Sequence, residues 1–292
     1  MEIEVIAERP ARRNVLGITV RSSALNTTVT VGLVTPPDWR PGTRRSWPVL
    51  HLLHGGDDGP TCWLDRTDIV DRALAHPGGL LVVLPEGGRA GFYTDWRRPL
   101  SPAWHRFHTV ELRSLLEARY GAGTARAIAG VSMGGYGAVV YAARNPGMFS
   151  AVASYSGLLH TTRRGVPLLL RYFLRSVGER MGAMWGSRWY QHALWAENNP
   201  YRLAERLIDT PLYIAAGDGT RVPGDPPAPG DRLLERLIAP TSRDFARRMA
   251  ELGAPVRTSF GPGTHDWPSW SRELGRSWEF LTTALTQGEK CA

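Results

Sequence analysis

Gly130-Val131-Ser132-Met133-Gly134 is a G-x-S-x-G pentapeptide, the pattern in which a serine is held on a sharp turn between a strand and a helix. A short strand candidate runs in through Ile128, and a helical pattern runs out through Val139 and Val140. The flanking glycines meet a steric need, because side chains there would collide with neighbouring backbone, and Gly135 and Gly137 keep the helix start close to the sheet. The first N–H groups of that helix favour the negative charge that develops on an acyl oxygen. A Gly-rich turn around a buried serine is the plainer alternative, and the flanking strand and helix argue against it.

A serine hydroxyl attacks a carbonyl only when a base takes its proton and a carboxylate orients that base. Of the eight histidines, His265 in Gly263-Thr264-His265-Asp266-Trp267 follows the last strand candidate on a turn, which suits the order serine, acid, histidine. Three carboxylates compete for the middle role. Asp218 comes just after an apolar strand candidate, while Asp231 and Glu235 stand four residues apart on one face of the next helix. His51 with His54, and His105 with His108, could each suggest a metal. No matching Cys or acidic cluster completes a site, so structural roles are expected for these four, with no metal and no cofactor.

The elements that must position these groups change character along the chain. Residues 17–21, 28–34 and 48–54 read as strands by alternation and β-branched content. From there strands and helices alternate: a buried strand at 80–84, a helix from His105 to Tyr120, a strand at 126–131, a helix from Met133 to Arg144, and strands at 149–154, 211–216 and 255–260. A helix over 268–285 closes the pattern. This order predicts one α/β domain over residues 1–292, a mostly parallel sheet with helices on both faces. Residues 158–201, rich in Tyr172, Phe173, Met181, Met184, Trp185, Trp189, Tyr190 and Trp195, read as a cap-like insertion over one end of the sheet, and residues 217–230 as an exposed loop.

Composition narrows the function classes. Hydrophobic residues make up 42% and charged residues 21% of 292, typical of a globular fold. The net charge is +8, and Lys290 is the one lysine, but the arginines are scattered in pairs instead of forming a stripe, which argues against a nucleic-acid partner. No apolar stretch approaches a membrane span. The acidic start Met1-Glu2-Ile3-Glu4-Val5 does not resemble a secretory leader, so the expected location is cytoplasmic, or secreted for a processed form. Cys62 and Cys291 lie far apart and support no disulfide.

Five separated stretches together resemble the mycolyltransferase family, the antigen 85 complex, within the esterase D group of α/β-hydrolases. They are Leu52-Leu53-His54-Gly55-Gly56, Phe92-Tyr93-Thr94-Asp95-Trp96, Gly130 to Gly134, Met184-Trp185-Gly186, and Gly263-Thr264-His265-Asp266-Trp267-Pro268-Ser269-Trp270. The resemblance covers residues 45–285 and implies an α/β-hydrolase fold, Ser132 as nucleophile and His265 as base. The family's acid is the glutamate of a Phe-Leu-Glu segment, matched here by Leu233-Leu234-Glu235, which favours Glu235. Related formylglutathione hydrolases place an aspartate where Asp231 stands. By position, the family's oxyanion donors correspond to the backbone N–H groups of Met133 and Gly56.

The implied activity is that of a serine esterase or acyltransferase, working through an acyl-enzyme on a small ester or thioester, with water, a sugar or another alcohol as acceptor. Among the tryptophans, Trp96, Trp185, Trp267 and Trp270 are mainly core and lid packing, and Trp267, two residues from His265, is the best placed to touch substrate. One departure bears on the acceptor. Where the family reads Asp-Gly-Leu-Arg, this chain has His54-Gly55-Gly56-Asp57, without the arginine that helps hold a sugar, which argues against trehalose and mycolic acid as substrates. A non-catalytic carbohydrate- or protein-binding member of the same fold is the alternative. The sequence leaves oligomeric state open.

Overall fold

The computed structural model describes residues 3–288 apart from 99, 181, 227 and 228. Met1, Glu2, Met181, Lys290 and Cys291 therefore lie outside the described residues, while Cys62 is buried. In chain order the strands are β1 (Ile3–Arg12), β2 (Val15–Ser22), β3 (Thr27–Val34), β4 (Trp47–Leu53), β5 (Leu81–Pro85), β6 (Ala122–Val131), β7 (Ala151–Tyr155), β8 (Leu212–Gly217) and β9 (Val256–Gly261). They form one sheet, ordered β1-β2-β3-β5-β4-β6-β7-β8-β9. Pairing is parallel from β5 across to β9 and antiparallel among β1, β2, β3 and β5.

Chemistry of burial explains this division. β5 and β7 are buried at every position, so β5 is wholly apolar and β7 nearly so, with no polar-apolar alternation, as suits strands covered on both faces. Helix α1 (Met133–Arg144), α2 (Val166–Ser176) within residues 158–201, and α3 (Pro229–Glu251) contribute to one apolar cluster, which includes Tyr136, Val140, Leu170 and Phe245. On the opposite face α4 (Trp267–Gly288) sets Leu274, Leu281 and Leu285 into a second cluster with Leu50, Leu52 and Ala127. The helix α1 is buried along nearly its whole length, which holds its N-terminal residue Met133 rigidly beside Ser132. Among the described residues no helix is long and apolar enough to cross a membrane.

Two elements differ from expectation. β1 is an edge strand that pattern reading did not single out: its inner face is only half-buried, and Pro10 sits near a register shift between Pro10 and Arg12, where an edge tolerates it. The expected helix from His105 to Tyr120 is helical, but Phe107–Leu112 widens into π-turns. That widening accompanies the burial of two polar side chains, His108 and Glu111. Glu111 accepts hydrogen bonds from Ser23 Oγ (2.6 Å) and the Ala24 N–H (3.0 Å), tying the helix to the turn after β2.

His108 is buried and His51 half-buried, and both are structural in their contacts. His108 Nε2–H donates to the Glu86 carbonyl (2.8 Å) and its Nδ1 accepts from Tyr141 Oη (2.7 Å). His51 packs edge-on against Phe149. Burial, reinforced at His51 by the Arg126 charge, pushes both imidazoles down to about 3 from 6.5. Their neutral form is favoured in the fold, so stability is full above pH 6.5 and is lost as pH falls from 6.5 toward 3, where the unfolded chain takes up the protons first. At pH 5 each is expected to cost about 2 kcal/mol. Urea unfolding at pH 7 and pH 5 should show this drop, and His51→Gln should remove about half of it, leaving the part due to His108; an unchanged midpoint across that range would contradict the assignment.

Candidate active site

Ser132 sits at φ 52°, ψ −114°, a left-handed conformation that costs a non-glycine residue about 1–3 kcal/mol and lifts its side chain clear of the sheet. The turn admits no side chains on either flank. A Cβ on Gly130 would stand 2.3 Å from the Gly134 backbone, and one on Gly134 would stand 2.3 Å from the Leu53 carbonyl oxygen. β6 ends at Val131 and α1 starts at Met133, so the elbow joins the centre of the sheet to a buried helix.

His265 follows β9 on the turn into α4, and its Nε2 lies 2.8 Å from Ser132 Oγ. Its Nδ1 lies 2.6 Å from Glu235 Oε2. A carboxylate only accepts, so the Nδ1–H points to Glu235 and the Nε2 lone pair faces the Ser132 hydroxyl. Glu235 is fully buried in the first half of α3, and its other oxygen accepts from the Gly217 N–H (2.6 Å) and Ser156 Oγ (2.8 Å). Of the three competing acids, Glu235 is the one brought to the imidazole. Asp231, one turn earlier, meets His265 through its backbone, accepting the His265 N–H at 3.2 Å. Asp218 is exposed and accepts the Thr220 N–H.

Gly56 and Met133 both line the cavity that opens beside Ser132. Among the described residues neither backbone N–H has an acceptor, which leaves two donors free beside the serine. The Gly55–Gly56 loop is anchored from below by His54, whose Nε2 accepts the Gly87 N–H (2.7 Å) and whose carbonyl accepts Tyr93 Oη–H (3.0 Å). The side chain of Met133 is held as well, its sulfur 3.3 Å from the Phe92 N–H. Phe92 and Tyr93 are both left-handed, and the Phe92 ring meets Tyr136, Phe173 and Trp185. Trp185 Nε1–H in turn donates to Thr94 Oγ1 (3.1 Å). The stretches around Phe92 and Ser132 thus line one cavity, and Trp185 backs the Phe92 ring from behind.

The cavity encloses about 350 Å³. Leu169, Leu170 and Phe173 of α2, with Leu158, Phe92 and Ile238, form an apolar side, and Asp58 and Asp231 stand among the remaining lining residues. Trp267 does not itself line the cavity. It starts α4 with its ring edge-on to Trp63 at 5.1 Å and to Trp270 at 5.3 Å, one layer behind the lining. Trp270, one turn on, lines the cavity and stacks edge-to-face on His265 at 5.0 Å. Its Nε1–H donates to Ser156 Oγ (3.1 Å), so a chain of hydrogen bonds runs Trp270, Ser156, Glu235, His265, Ser132. Ser156 was not legible beforehand; a serine after a buried strand, outside any G-x-S-x-G pattern, carries no signal of its own. Among the described residues no group of three or more His, Cys, Asp or Glu is placed to hold a metal ion.

Ser156→Ala removes one of the donors that fix the carboxylate of Glu235 and leaves the Trp270 N–H unpaired. A hydrogen bond to a charged group contributes about 1.5–3 kcal/mol, so turnover of a neutral ester is expected to fall about tenfold or more through kcat, with KM little changed. Steady-state kinetics on the variant checks this; a wild-type kcat would mean that Glu235 needs no such support.

Residues 22–280 match the family model named Esterase. Esterase Rv1288 of Mycobacterium tuberculosis is 30% identical over 257 residues, covering 84% of this chain but only 54% of that protein, so the chain spans about half of its length. The diacylglycerol acyltransferase/mycolyltransferase Ag85B of Mycolicibacterium smegmatis is 32% identical over 243 residues, covering 77% of this chain and 73% of that protein. Among solved structures, Mycobacterium tuberculosis MPT51 (FbpC1) superposes with a TM-score of 0.76 at 22% identity, over 98% of this chain and 99% of that one. That likeness is one of fold, the α/β-hydrolase architecture expected from the sequence.

Proposed function

The chain belongs to the Esterase family, alongside the antigen 85 mycolyltransferases, and from that premise we propose that it is a serine-dependent esterase or acyltransferase acting through an acyl-enzyme on a carboxylic ester or thioester. The observation that carries this reading is the unbroken alignment of Glu235, His265 and Ser132 at 2.6 and 2.8 Å on the rim of a partly apolar cavity. We read residues 158–201 as a cap on a single domain, with α2 supplying the wall for an acyl chain.

In this scheme Ser132 Oγ attacks the carbonyl carbon while its proton passes to His265 Nε2. Glu235, held by Ser156 and Gly217, keeps the imidazole oriented and offsets the charge it gains. The tetrahedral oxyanion is met by the free N–H groups of Gly56 and Met133. His265 then gives its proton to the leaving alcohol or thiol, and the acyl group remains on Ser132. Water or an acceptor hydroxyl enters, loses its proton to His265 Nε2 and attacks the acyl carbon, and as the bond to Ser132 Oγ breaks His265 returns that proton to the serine, releasing the acyl group as acid or new ester.

A fluorophosphonate probe tests the core of this, since an activated serine alone reacts quickly with it. Stoichiometric labelling at Ser132, with burst kinetics on p-nitrophenyl esters of graded chain length, is the expected result. Absence of both labelling and turnover would remove the catalytic reading and leave a binding protein on the same fold. Diversion of acyl groups to an added alcohol would mark transfer over hydrolysis.

A further inference from the structure

The active-site cavity has a charge that contradicts the rest of the molecule. The chain carries a net +8, yet among the described residues no arginine or lysine lines the cavity, and the two formally charged lining residues, apart from His265, are Asp58 and Asp231. Both carboxylates stand near the reacting groups. A Cβ placed on Gly55 would lie 3.4 Å from Asp58 Oδ2 and 3.6 Å from Ser132 Cβ, and the backbone of Asp231 is bonded to His265. Among the described residues neither aspartate forms a salt bridge, and the Asp231 carboxylate accepts no hydrogen bond. Asp58 is assisted only by the Trp267 indole, with the Arg66 and His54 side chains contributing at a distance and Asp57 opposing them. Around Asp231 the neighbouring groups are His265 and Asp266. Burial raises both carboxyls above their usual range, a sign that each lacks the water or donors that an exposed aspartate has.

The rest of the lining is largely apolar, so an ester in this cavity meets two kinds of chemistry. An acyl chain fits against Leu169, Leu170 and Phe173. The alcohol half leaves from beside His265, which must hand it a proton, and both aspartates are close to the reacting groups, Asp231 next to His265 and Asp58 at the Gly55 turn beside Ser132. We infer that Asp58 and Asp231 determine specificity for the alcohol half, selecting esters or acceptors that carry an ammonium group there and rejecting those that carry a carboxylate or phosphate. The inference rests on the hydrolase or acyltransferase reading above and names the substrate class of the same site. Two carboxylates without a cationic partner, in a confined and partly desolvated space, attract a cation and leave an anion with no partner.

Three butyrate esters of matched size test it: one of choline, one of its uncharged analogue 3,3-dimethylbutanol, and one of a hydroxy acid. Wild type is expected to show kcat/KM about tenfold higher for the ammonium ester than for the neutral one, and about tenfold lower for the carboxylate ester. The spread should narrow in Asp58→Asn and in Asp231→Asn and vanish in the double variant. Equal kcat/KM for the three esters, or a spread that survives the double variant, would overturn the inference. Calorimetric binding of the ammonium ester and its neutral analogue to Ser132→Ala needs no turnover. A cation preference there sustains the inference even with no hydrolysis, whereas its absence rejects it while leaving turnover of the neutral ester as the separate measure of the esterase reading.

Discussion

Ser132→Ala is expected to lower kcat on a neutral p-nitrophenyl ester by about 10⁴- to 10⁶-fold, with the fold intact and KM nearly unchanged. The nucleophilic oxygen is lost, while the cavity that binds the ester is lined mainly by other groups. Stability should hold because the left-handed backbone at residue 132 is imposed by Gly130, Gly134 and the buried α1, and alanine bears the same strain as serine there. His265→Ala should reach a similar floor, and the double variant should fall no lower, since neither group acts without the other. Residual activity above about 1% in a pure Ser132→Ala preparation, with circular dichroism unchanged, would mean that another nucleophile carries the reaction.

That expectation could be read from sequence because the elbow is a local device: its glycines, its entering strand and its leaving helix are contiguous and each has a steric cause. The buried runs of β5, β7 and β8 were legible for a related reason, since burial on both faces leaves few polar positions, Ser154 in β7 being one. β1 was harder, because at an open edge its side chains are half-wet and Pro10 interrupts it without cost. The π-turns at Phe107–Leu112 were out of reach, because the buried partners of Glu111 and His108 come from residues remote in the chain.

The site shows the same division between local and long-range causes. Trp267 is nearer to His265 in sequence than Trp270, but at the start of α4 its ring packs between Trp63 and Trp270, and it is the ring of Trp270 that reaches the imidazole. Ser156 lies 79 residues from Glu235 and is brought to it because β7 and β8 are neighbours, with Gly217 at the end of β8 supplying the second donor. Asp231 and Glu235 share a helix and differ by one turn, a difference in depth that periodicity alone does not rank. Depth separates their chemistry: Glu235 is sealed beneath the imidazole, and Asp231 stays at the cavity edge.

Glu235→Gln and Asp231→Asn therefore should part company by orders of magnitude. In Glu235→Gln the Gly217 N–H and the Ser156 hydroxyl both donate to one side-chain oxygen, so the amide keeps its oxygen there and turns its NH₂ toward His265. Nδ1 of the imidazole must then accept, which moves its proton to Nε2 and leaves no lone pair facing Ser132. A buried carboxylate exchanged for an amide in this role lowers kcat by about 10⁴-fold in comparable triads, and a loss of about 10³- to 10⁴-fold is expected here. The packing is isosteric, so thermal stability should fall by far less than in Glu235→Ala, which would leave the Gly217 N–H unpaired in the interior. Asp231→Asn keeps the backbone carbonyl that accepts the His265 N–H, and its loss on a neutral ester should stay below about tenfold. Kinetics of the two variants on one neutral ester, with unfolding curves for both, measures the difference; a larger loss in Asp231→Asn would transfer the acid's role to Asp231 and require the imidazole to turn toward the cavity edge during turnover.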